Sequence, residues 1–170
     1  MPDTEDDEKF VLAEDVELVA KNLIPNYHPE LATARMHYIF TAKAPKKGGR
    51  ELMGKVSKVS GKWEFLTELD FILEVPRPIW STMSGSQRTA LVDHLLEHCT
   101  AEEDEQTGSM KWKVREPDVR EFSTILQRQG AWNDTLVSFA SVAQSLDIDS
   151  IVDEEMSDQV EDLTLSEDGD

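Results

Sequence analysis

Cysteine occurs once, at Cys99, so no intramolecular disulfide can form and a reducing compartment suits the chain. Basic residues are scarce, 17 against 35 acidic ones, for a formal net charge of −18. No apolar run approaches the roughly 20 residues that span a bilayer, so no membrane association is expected. The start, Met1 to Lys9, is acidic rather than basic and then apolar, so no secretory leader is expected and the cytoplasm is the expected location. There is no glycine-rich phosphate loop, serine nucleophile motif or cysteine-pair metal motif. Those three chemistries therefore lack a basis here.

What is present is one domain's worth of chain with acidic ends. At 170 residues the protein is long enough to bury a core and short for two domains. Residues 1–9 hold five acids and one lysine, and residues 146–170 hold eleven acids and no base. Together the ends hold −15 of the −18 and leave the body between them at −3. The expected organisation is an acidic tail at 1–9, a domain at 10–146 and an acidic disordered tail at 147–170. A solubilising tail is the plainest reading. Mimicry of nucleic-acid phosphates and a docking strip for a basic partner are the alternatives, and Ile148, Ile151, Val152, Met156, Val160 and Leu163 leave room for a partner-bound helix.

Apolar spacing predicts a first helix from Phe10 to Ile24, ended by Pro25. His28 to Leu31 reads as a loop, Met36 to Phe40 as a strand, Lys46 to Arg50 as a turn, and Leu52 to Ser60 and Leu69 to Val75 as further strands. Ser84 and Gln87 have capping-box spacing, so a helix should start there and run to about His98. Thr100 to Met110 reads as a polar connection. Pro117 suits the first turn of a helix bearing Val119, Phe122, Ile125 and Leu126 and ending at Gly130. Asn133 or Asp134 caps a last helix bearing Leu136, Phe139, Val142, Ala143 and Leu146. The order α-β-β-β-α-α-α predicts an α+β fold, helices on a sheet of about three strands.

Two of the four histidines, His94 and His98, lie four apart on one predicted helix. Their directions then differ by about 40°, so both imidazoles can reach one metal ion. The run Asp93-His94-Leu95-Leu96-Glu97-His98-Cys99 also matches H-x-x-E-H, the inverted zincin motif. Two histidines at this spacing also commonly cap an apolar face, and that reading stays open beside the metal one.

The chain resembles the putative phage metallopeptidase family over about residues 12 to 145. The resemblance rests on Ala90 to His94, His98-Cys99, Glu102 to Glu105, Lys111-Trp112 and Asp118 to Phe122. Pro45 to Arg50, Gly54-Lys55, Val59 to Gly61, Asp70-Phe71, Trp80, Gln87-Arg88 and Gly130 to Trp132 fit it too. It implies a zincin-like domain, encoded by a phage or prophage, in which His94 and His98 are zinc ligands. The family pattern H-E-x-x-H would put its general-base glutamate at Leu95 and its third histidine at Pro117. Leucine cannot take a proton from bound water, and proline cannot ligate zinc. Glu116 or Asp118, beside Pro117, is the expected substitute ligand.

Glu97 is the candidate base of the inverted-motif alternative. It lies about 80° from the metal direction on the side opposite Leu95, and the helix direction implied by the resemblance makes that the wrong side. Cys99 points well off the metal face and is expected to pack. His28 reads as a loop residue, His37 as a strand residue, and the four tryptophans as packing. Lys43, Lys46, Lys47, Arg50, Lys55 and Lys58 read as a solvated hairpin that can touch an acidic partner or the acidic tail.

The expectation is a zincin-like protein with a degenerate active site and weak or no zinc, acting by binding a protein, a host protein if phage-encoded. No direct nucleic-acid binding is expected. Two alternatives stand beside it: an active zinc peptidase using H-x-x-E-H, and an acidic, DNA-mimic-like inhibitor of a host DNA-binding or defence protein.

Overall fold

A computed structural model describes residues 8–146. The chain divides into two compact units, Met1–Glu116 and Pro117–Asp170. The C-terminal tail, and all of the N-terminal one but Glu8 and Lys9, lies outside the described residues.

The first unit is built on a four-stranded sheet. Its strands are β1 (Phe10–Leu12), β2 (Met36–Thr41), β6 (Phe71–Pro76) and β5 (Lys55–Lys58), in the order β1-β2-β6-β5. β2 and β6 run parallel, with Tyr38 opposite Leu73 and Phe40 opposite Val75, and the outer two strands pair antiparallel. Buried alternate residues on β6, Phe71, Leu73 and Val75, form the floor of the core. Above them lie α1 (Glu14–Tyr27), through Val16, Ala20 and Leu23, and α4 (Gly85–Glu97), through Leu91, Val92, Leu95 and Leu96. Each of those large side chains contributes roughly 1.5–3 kcal/mol by leaving water.

Ser84 and Gln87 form the reciprocal capping box that starts α4, as their spacing predicts. The unit also holds two minor helices, α2 (Lys62–Thr67) and α3 (Arg77–Thr82). The short pair β3 (Lys46–Lys47) and β4 (Arg50–Glu51) and the hairpin β7 (Cys99–Glu103) with β8 (Met110–Val114) are separate two-stranded sheets.

Asp70 locks the entry to two adjacent strands. It is 3% exposed, and its carboxylate accepts the Arg35 backbone N–H at 2.7 Å and the Arg35 guanidinium at 3.3 and 3.2 Å. Replacing it with alanine leaves that backbone N–H without its acceptor, at a cost of about 2–3 kcal/mol. Calorimetry should show Asp70→Ala melting at least about 5 °C lower. A change smaller than about 2 °C would mean that these bonds add little.

In the second unit, α5 (Ser123–Gln129) ends at Gly130, whose φ of +68° suits a residue without a Cβ. α6 (Asp134–Ser145) is capped by Asn133, whose side-chain oxygen accepts from the Leu136 N–H at 2.9 Å. No helix among the described residues is long and apolar enough to cross a membrane.

The α+β class matches the expectation, and several elements differ. Phe10–Leu12 is a strand rather than the first helical turn, because it pairs with Ile39–Thr41. Pro25 lies inside α1, which runs on to Tyr27 before ending. Phe65 and Leu66 are helical, in α2. Thr100 to Met110 is mostly hairpin, not connection, because Cys99 to Glu103 finds partners in Met110 to Val114. Residues 117–122 are irregular, so Val119 and Phe122 precede the helix expected to contain them.

Candidate functional site

The last turn of α4 carries the histidine pair. His94 Nε2 and His98 Nε2 stand 3.3 Å apart, with ring planes at 87°. A tetrahedral zinc with Zn–N bonds of about 2.0–2.1 Å holds its imidazole nitrogens about 3.3–3.4 Å apart. The helix thus presents two ligand nitrogens at a spacing that one zinc ion accepts.

The tautomer of His98 is set from behind. Its Nδ1–H donates to the Arg115 carbonyl at 2.7 Å, which leaves the Nε2 lone pair directed toward His94. The Arg115 N–H donates in return to the His98 carbonyl at 2.8 Å, so this pairing continues the β7–β8 ladder by one step. Burial, and then the neighbouring His98, hold the His94 pKa below its ordinary value. That favours the neutral ring a metal needs.

The other side of α4 carries a different cluster. His28 is 2% exposed and sits between the carboxylates of two successive turns, Asp93 and Glu97. Its Nε2 is 2.6 Å from Asp93 Oδ1, and its Nδ1 is 3.6 Å from Glu97 Oε2. Glu97 is claimed a second time by Arg115, whose guanidinium pairs with Glu97 Oε1 and whose Nε donates to the Glu97 carbonyl at 2.8 Å. By its sequence His28 is a loop residue. Its packing against α4 is a contact across 65 positions that no local spacing reveals.

Leu95, at the position where the family pattern has its glutamate, is 2% exposed and belongs to the core. Gly54, just before β5, lies so close that a Cβ there would fall 2.9 Å from Leu95 Cδ1. Cys99 packs as its direction predicts, and burial pushes its thiol pKa up to about 12. Of the expected ligands, His94 and His98 are brought together, Glu116 closes the first unit directly after Arg115, and Asp118 belongs to the second unit. Among the described residues no group of three or more histidine, cysteine or carboxylate side chains is gathered for a metal ion. Zinc thus fits the pair as two of its ligands.

Of the tryptophans read as packing, Trp80 is buried and Trp112 packs edge-on against Phe71, but Trp63 and Trp132 are 61% and 60% exposed. The Trp132 ring N–H donates to Glu121 at 2.9 Å.

Neither a curated protein nor a solved structure matches the chain. The family model described as "Putative phage metallopeptidase" matches residues 8–140, most of the chain and all of the histidine-bearing helix. The protein belongs to that family.

Proposed function

We propose that this is a phage- or prophage-encoded member of the metallopeptidase family that binds polypeptide without cutting it. The reading is carried by Leu95. Hydrolysis at a zincin site needs a carboxylate beside the metal to move a proton, and the position the family reserves for it holds a leucine enclosed in the core. Glu97, the other candidate base, has its carboxylate taken up by Arg115 and faced by His28. An ion-paired carboxylate of this kind works as a structural anchor between α4 and the residue that follows β8.

His94 and His98 would hold the zinc in this reading, with Glu116, the last residue of the same unit, as the candidate third ligand. Zinc bound there supplies Lewis acidity toward a carbonyl oxygen and lowers the pKa of a coordinated water. The protein's own contribution is to orient two imidazoles and to keep the Glu97 carboxylate engaged with Arg115. The partner is a protein, and the place of action is the cytoplasm of the host cell.

The purified protein, with zinc added, should cleave a casein or mixed-peptide substrate no faster than its His94→Ala variant. Chelator-sensitive proteolysis by the unmodified protein, lost in Glu97→Gln, would replace this reading with that of an active peptidase of the inverted type.

A further inference from the structure

Six cations lie between residues 43 and 58, namely Lys43, Lys46, Lys47, Arg50, Lys55 and Lys58, with Glu51 the one acid among them. All six are exposed, and none has an ion-pair partner among the described residues. Lys47 faces Arg50 directly across the β3–β4 pair. Like charges so opposed weaken a hairpin. It closes all the same through Gly48 and Gly49, whose φ values of +58° and +79° are those a two-residue primed turn requires. Lys46 faces Glu51 in the neighbouring pair, so the hairpin balances one of its cations and leaves Lys47 and Arg50 opposed, a charge that does nothing for the fold.

The segment that carries the patch reaches the histidine helix at one point. Gly54 follows the hairpin and touches Leu95, the residue after His94. Lys55 and Lys58 continue from Gly54 along β5.

We propose that the polypeptide recognised by this protein is acidic, and that the β3–β4 hairpin with Lys43, Lys55 and Lys58 is the surface that holds it. The inference rests on the binding reading above and names the partner's chemistry. The family is described as a metallopeptidase one, and a peptidase takes polypeptide. Outside residues 43–58 the body between the acidic ends holds 18 acids against 10 bases, so a long polyanion such as nucleic acid would run onto acidic surface, whereas a short acidic segment need meet only the cations. Pairing of this kind sets specificity and encounter rate, and it weakens as salt rises.

Fluorescence anisotropy of a labelled oligoglutamate peptide, titrated with the full chain at low salt, tests the proposal. Saturable binding is expected. It should weaken about tenfold or more in Lys47→Glu/Arg50→Glu. The charge-matched Lys9→Glu/Lys21→Glu variant should stay within about twofold of the unmodified protein. Circular dichroism checks that both variants keep the fold, which the hairpin's separation from the main sheet predicts. Absence of saturable binding, or equal losses in the two variants, would overturn the proposal. So would an oligothymidylate of matched charge binding more tightly than the peptide, which would assign the surface to nucleic acid. Cleavage of the bound oligoglutamate would remove the non-cutting reading and leave the acidic preference standing.

Discussion

Leu95→Glu, the single change that writes the family's H-E-x-x-H back into α4, is expected to destabilise the fold rather than create a catalyst. Leu95 is 2% exposed, with Gly54 against its side chain. Removing a leucine of this kind costs about 2–5 kcal/mol through lost burial and the cavity left. A carboxylate in its place adds several kcal/mol of desolvation. The sum, at least about 4 kcal/mol, is a large fraction of ordinary domain stability and should lower the melting temperature by about 10 °C or more.

The pH dependence supplies a check on the cause. Burial raises the new carboxyl's pKa above its unfolded value, so the folded state binds the extra proton and stability falls as pH rises through the carboxylate range. Thermal melts of Leu95→Glu should therefore lie closer to the unmodified protein at pH about 5 than at pH about 8. Leu95→Gln, which cannot ionise, should show a gap independent of pH. A Leu95→Glu protein melting within about 2 °C of the unmodified one would show that the position opens toward solvent. The leucine would then be a simple loss of the base.

The second large effect concerns zinc. Titration calorimetry of the unmodified protein should show one zinc bound weakly. His94→Ala and His98→Ala should each lower the affinity by more than the about 10–100-fold that loss of an outer-shell partner costs. The two losses should not add, because one remaining imidazole holds little by itself. Protons compete for the same nitrogens, so affinity should fall as pH drops below about 6. The depressed pKa of His94, due first to burial and then to His98, moves its part of that loss to lower pH. Zinc binding that persists in both alanine variants would mean that the metal sits elsewhere in the chain.

Much of this site is legible from spacing alone. Two histidines four apart on a helix must share a face, and the 3.3 Å between their Nε2 atoms realises that rule. The Ser84–Gln87 box, the Asn133 cap and the stop at Gly130 are equally local and appear where the sequence places them. Tertiary structure decided the rest. Nothing within a few residues of Phe10 says that it will pair with Thr41, and the strand formed there replaces a helical turn that its neighbours favour. The β7–β8 hairpin likewise depends on a partner thirteen positions on, as Thr100 and Lys113 face each other only after the turn between them closes.

The same distinction separates ligands from surroundings. A helical wheel gives Leu95 and Glu97 equal angular claims on the metal, about 80° to either side. Packing breaks that symmetry. Gly54, forty-one positions away, leaves just enough room for Leu95 inside the core, while His28 and Arg115 approach from the other side and hold the carboxylates of Asp93 and Glu97. Helix geometry is set by bonds to residues three and four apart and can be read locally. The identity of whatever leans on a given face depends on chain closure over tens of residues, and it emerges only once the sheet and α1 are packed.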